Sequence, residues 1–133
     1  MKAQSSFEML VSVAMLLAYT IPLVLLLFSL TQLRLEDVSI SSGRATAQQL
    51  SDTINEVHLQ GAHAKRSLIL DLPSNSQNLS VSGNSIILRL STTSGPYEIS
   101  HPVLANVSDF SISNRSGLVN IIVKANGTNV VLE

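Results

Sequence analysis

A chain of 133 residues has room for one ordinary domain, and a formal net charge of −1 offers no basic surface of the kind that holds a nucleic acid. It contains no cysteine, which removes disulfide staples, thiol nucleophiles and cysteine-type zinc sites together. The fold must be held by apolar burial and backbone pairing alone.

Residues 1 to 8, Met-Lys-Ala-Gln-Ser-Ser-Phe-Glu, form a short polar leader with one basic residue, Lys2, and one acidic residue, Glu8. From Met9 to Leu30 no residue is charged, and Leu, Val, Ile and Phe dominate. At about 1.5 Å per helical residue this run reaches about 33 Å, enough to cross the hydrocarbon core of a bilayer. A secretory signal would place a small-residue cleavage site after its apolar core. Here the apolar run is longer and continues into helix-compatible sequence, so it reads as a retained anchor.

Beyond Leu30 the pattern turns amphipathic. Gly43, Ala47, Leu50, Ile54, Val57, Gly61 and Ala64 recur at alternating spacings of four and three, the stripe of a helix laid along a partner surface. The spacing predicts one helix from near Phe7 to about Ala64, interrupted or bent at Pro22 and loosened around Ser39 to Gly43. The stripe has two possible partners, the chain's own β domain or another chain.

After Arg66 the period changes to two. Ser67–Leu72, Asn78–Ser82, Ser85–Leu90, Tyr97–Ile99, Val107–Ile112, Leu118–Lys124 and Asn129–Leu132 are strand-length runs. Turn chemistry separates them at Pro73-Ser74-Asn75, Gly83-Asn84, Ser94-Gly95-Pro96, Arg115-Ser116-Gly117 and Asn126-Gly127, the last suiting a tight hairpin. The expected fold class is α+β: a long N-terminal helix, half transmembrane and half amphipathic, capped by a small antiparallel β domain.

Three histidines are the candidates for metal or acid–base work. His58 and His63, five apart on the expected helix, would stand about 140° from one another and not on one face, and His101 is isolated in sequence. No nucleophile elbow, phosphate loop or carboxylate pair is visible, so no catalytic, cofactor-binding or metal residue is assigned and no enzymatic activity is expected. Four asparagines, Asn78, Asn106, Asn114 and Asn126, stand in Asn-X-Ser/Thr form as N-glycosylation acceptors, all in the β region. Their position agrees with a domain outside the membrane.

Gln4-Ser5-Ser6-Phe7-Glu8, directly before the apolar run, resembles the class III signal peptide of archaeal type IV pilin-like proteins, whose processing motif reads Gln-X-Ser-X-Glu. Gln4, Ser6 and Glu8 match it. The resemblance covers the whole plan of anchor, helical stem and β cap. It implies a leader of residues 1–3, a cut between Ala3 and Gln4 by a membrane-embedded prepilin peptidase, and a filament-core helix over 4–30. It further implies an amphipathic stem over 31–66 and an extracellular β domain over 67–133, joined through a pilus assembly platform into a homo-oligomeric filament.

Glu8, fifth in the mature chain, would take the family's assembly role. On the residues alone it has two compatible readings: a helix-start acid favoured by the positive dipole end, or a carboxylate costly in an apolar bundle until the freed amine of Gln4 on a neighbour meets it. The alternatives to a filament subunit are a membrane-anchored monomeric surface domain that binds a ligand or partner, and a minor or priming pilin.

Overall fold

The computed structural model describes the backbone of residues 2–133 and the side chains of residues 6–133. The expected cut at Ala3 and Gln4 therefore lies outside the described side chains. The chain is α+β, as its periodicities require: one helix, α1 (Lys2–Gln60), then β1 (Lys65–Leu72), β2 (Ser76–Thr92), β3 (Gly95–Ser113), β4 (Gly117–Asn126) and β5 (Asn129–Leu132). It divides into two compact units, Met1–Asp37 and Val38–Glu133.

α1 remains helical through Pro22 and through Ser39–Gly43, where sequence predicts a break and a loosening. Gly43 serves close packing: it is buried against Leu88, Leu90 and Ile99 of the sheet. The helix also stops earlier than the stripe suggests. Gly61 takes φ +89°, a left-handed conformation open to glycine at little cost, and its N–H donates to His58 O at 3.2 Å to close the last turn. Ala64 thus begins the approach to β1, and the strand starts at Lys65, two residues before the expected run.

The sheet has the order β1-β4-β5-β3-β2. It is mixed where sequence predicts antiparallel: β5 pairs antiparallel with β4 but parallel with β3, through Asn106↔Asn129 and Val107↔Val130. The cause is the Asn126-Gly127-Thr128-Asn129 hairpin, which folds β5 into the seam between β4 and β3. β5 then runs in the direction β3 already has.

One predicted turn and one gap between predicted strands are also absorbed into strands. Gly83-Asn84 is a bulge inside β2, with Gly83 at φ +59° and register shifts on both sides. Tyr97–Ile99 and Val107–Ile112 belong to one strand, β3, which holds extra residues opposite that bulge, since the register passes from Ser85↔Pro102 to Gly83↔Val107.

Within the unit Val38–Glu133, one face of the sheet is covered by the C-terminal part of α1. Ala47, Leu50, Ile54 and Val57 are fully buried there with Leu70, Ile86, Leu88, Leu90, Ile121 and Val123. Each fully buried Leu, Ile or Val contributes about 1.5–3 kcal/mol relative to an exposed one. The helical stripe therefore packs on the chain's own β domain.

Polar bonds fix the fit. Thr46 Oγ1 donates to Asp71 O at 2.8 Å on the β1 side, and Arg66 pairs with Glu56. On the β3 side Ser51 Oγ donates to Pro102 O at 3.0 Å, and Leu104 N–H donates to Asn55 Oδ1 at 2.9 Å. These last bonds supply partners to backbone groups that the irregular stretch of β3 removes from the ladder.

Candidate functional site

The unit Met1–Asp37 carries the first candidate site. Phe7, Met9, Leu10, Met15, Leu16, Leu25, Leu27 and Phe28 are exposed. Ser6–Gln60 contains a helix long and apolar enough to cross a membrane.

Three of its hydroxyls are satisfied within the helix itself. Ser12 Oγ donates to Glu8 O at 2.8 Å, Thr20 Oγ1 to Leu16 O at 2.7 Å and Thr31 Oγ1 to Leu27 O at 2.9 Å, each one turn back. Such self-bonding is what an apolar solvent demands of a polar side chain, because lipid offers no partner. Glu8 differs. Its side chain is exposed at the head of the run, and its carboxylate has no hydrogen bond or salt bridge among the described residues. Ser6, two residues before it, is exposed as well, while Ala3 and Gln4 lie among residues whose side chains are not described.

The histidines do not converge. His58 lies on α1, His63 sits past its end at φ +73°, and His101 is on β3 with Nδ1 3.2 Å from Pro102 O. The expected i, i+5 relation on one helix is lost because the helix ends between the first two. Among the described residues no group of three or more His, Asp or Glu side chains forms a metal cluster.

An open concavity of about 440 Å³ beside His63 is lined by Lys65, Lys124, Asn126 and Glu133. There the Lys124 ammonium bonds the Glu133 carboxyl and, with its charge, holds it below the usual carboxylate range. Its lining includes no Ser, Thr or Cys beside the histidine.

No protein-family model, curated protein or solved structure matches this chain. Function must be read from the chain's own residues.

The four acceptor asparagines are all in the unit Val38–Glu133. Asn106, Asn114 and Asn126 are exposed, Asn114 in the β3–β4 turn at φ +54°. Asn78 is half-buried on β2, where its Oδ1 accepts from Ser113 Oγ at 3.3 Å. Strand order places Asn126 opposite Asn129, and Asn129 opposite Asn106, in one row across β4, β5 and β3 on the face away from the core. Sequence reasoning finds the individual asparagines but not this row, because it depends on β5 entering the seam. A second feature it misses is the open edge of β1. The signal there is the order of charges, Lys65 and Arg66 at one end and Asp71 at the other.

Proposed function

We propose that the chain is a structural, non-catalytic subunit of an archaeal type IV pilus-like cell-surface filament, processed by a prepilin peptidase between Ala3 and Gln4. The observation that carries this reading is an uncovered apolar helix headed by the single exposed acid Glu8, directly behind the Gln4-X-Ser6-X-Glu8 motif. Before assembly, lipid covers the helix. After extraction, identical helices cover one another, and the gain is the apolar surface kept from water on leaving the bilayer. The unit Val38–Glu133, with its core complete, faces outside the cell and forms the sheath.

One observation favours a second reading, a membrane-anchored surface domain that stays monomeric. The stripe from Gly43 to Val57 is buried on the chain's own sheet, so that part of the stem needs no neighbour to cover it. A minor or priming pilin shares the chemistry of the first reading and differs only in copy number.

Two measurements test the proposal. Intact-mass analysis of protein from the native host should give a chain beginning at Gln4, and electron microscopy of shed surface filaments should find this protein in them. A chain that keeps Met1 or Lys2, found only as dispersed membrane protein, overturns the filament reading in favour of the anchored domain.

A further inference from the structure

The β2–β3 hairpin closes through a two-residue turn, Thr93-Ser94, with Thr92 opposite Gly95. Such a turn makes the closing pair a hydrogen-bonded one. Gly95, Tyr97, Ile99 and His101 therefore turn their backbone groups toward β2, while Pro96, Glu98, Ser100 and Pro102 turn theirs away. Two contacts agree. Pro102 O accepts from Ser51 Oγ at 3.0 Å, and Leu104 N–H donates to Asn55 Oδ1 at 2.9 Å, both bonds being made by α1. Proline at 96 and 102 fits as well, because a residue turned away from the ladder has no bond for an N–H to make.

No strand takes up that second side of β3 before Asn106, where β5 begins to pair. Glu98 and Ser100 each leave an N–H and a C=O without a backbone partner among the described residues. α1 stands there instead. Arg44, Gln48, Ser51 and Asn55 follow one another at spacings of four, three and four, one row on one helix face. Ser51 and Asn55 bond β3 directly. Arg44 and Gln48, one and two turns earlier, form one wall of an open cleft of about 400 Å³ whose other wall is β3 from Tyr97 to His101. That is room for a small ligand.

The cleft is mixed in donors and acceptors and unbalanced in charge. Arg44 Nη2 donates to Tyr97 Oη at 3.0 Å, and the hydroxyl, as acceptor, keeps its own proton to give. Arg44 forms no salt bridge among the described residues, and the rest of its planar fork of N–H groups is left to meet a carboxylate. Glu98, the acid on the wall, is held by Arg89 Nε at 2.9 Å across the ladder. The charge left over is that of one cation, Arg44.

We propose that this cleft binds a sugar acid, with its carboxylate on Arg44 and its hydroxyls on Gln48 and on the unpaired backbone groups of Glu98 and Ser100. A simple carboxylate leaves the two C=O groups unmet, and a neutral sugar leaves the guanidinium unmet. A dianion such as phosphate brings one negative charge more than the cleft offsets. Tyr97, packed against the core, holds the guanidinium in place through its hydroxyl. The site lies wholly within the unit Val38–Glu133 and stands whether the chain is a filament subunit or an anchored domain.

Saturation-transfer NMR on the full-length chain in non-ionic detergent reads binding from the protons of the ligand. Glucuronate should bind saturably and about tenfold more tightly than glucose, which has the same ring without the carboxylate, or acetate, which has no hydroxyls. Arg44 is exposed, so Arg44→Gln leaves the core intact and should bring glucuronate down to the level of glucose. Arg89→Gln, which releases the charge of Glu98, should weaken glucuronate about threefold and leave glucose unchanged.

A glucuronate trisaccharide separates two sources of the same chemistry. Affinity equal to that of the single sugar assigns the site to the free acid, and affinity about tenfold higher assigns it to a polysaccharide, in both cases with the dependence on Arg44 intact. A glucuronate titration that never saturates, that matches glucose, or that survives Arg44→Gln unchanged overturns the proposal. None of these results bears on whether filaments form, which microscopy reads separately.

Discussion

A Cβ built on Gly43 would stand 2.9 Å from Ile99 Cδ1 and 3.2 Å from both Leu88 Cδ2 and Leu90 Cδ1. Gly43→Ala sets two effects against each other: about 1 kcal/mol gained in helix propensity and about 1–3 kcal/mol lost to overpacking. The methyls it meets belong to buried side chains with little room to yield, so the loss wins by about 1 kcal/mol. Thermal unfolding in detergent should show the transition about 4–8 °C lower. A rise would mean that helix and sheet do not meet this closely.

Leu50 and Ile69 are aliphatic residues of similar size with opposite surroundings, one fully buried and one exposed. Leu50→Ala should cost about 2–5 kcal/mol, the transfer of the side chain plus the cavity it leaves. Ile69→Ala should stay within about 0.5 kcal/mol. Denaturant titration of each variant in detergent checks both, and equal losses would place the core on the wrong face of the sheet.

The helix and the change of period after Arg66 were legible because both rest on local patterns, an uncharged run and an alternation. The core positions Leu68, Leu70, Leu72, Val119, Ile121 and Val123 follow from that alternation alone. Gly83-Asn84 misled, since the residues that make a turn also make a bulge, and only the neighbouring strand decides between them. The parallel pairing of β5 was equally hidden. It comes from which strands end up adjacent, a relation between residues as distant in sequence as Asn106 and Asn129. At the head of the chain, Ser6 and Glu8 were legible through a motif. What Glu8 meets depends on a neighbour that its own sequence does not describe.

Among the glycosylation acceptors, exposure predicts an order. Asn114 lies in a turn and Asn126 beside the β4–β5 hairpin, both exposed, whereas Asn78 is half-buried and bonded to Ser113. Glycopeptide mass spectrometry of protein from the native host should find sugar on Asn114 and Asn126 and none on Asn78. Sugar on Asn78 with Asn114 bare would remove accessibility in the folded domain as the selecting factor.

Glu8→Ala should leave the chain inserted and processed but sharply reduce its recovery in filaments. Removing the acid makes the anchor more apolar and its residence in lipid easier, while it deletes a carboxylate that costs several kcal/mol in an apolar bundle unless a cation meets it. The opposite signs of these effects separate the idea from misfolding. Membrane fractionation, intact mass and filament yield read the three quantities, and normal filaments containing Glu8→Ala would reduce Glu8 to a helix-start acid. Glu8→Gln, which keeps shape and loses charge, should behave as Glu8→Ala does.

The sheet has one side committed to α1 and the other to solvent, with the division falling at every second residue. Core positions on β1 and β4 are dictated by fit, while Ser67, Ile69, Asn120 and their outward neighbours fill no space that must be filled. Mutations at the outward positions can accumulate at almost no cost in stability, so the visible skin of such a domain is free to drift under whatever selects it from outside. Descendants of one ancestor would then keep the skeleton and agree only at alternate letters, long after the remainder had ceased to resemble one another.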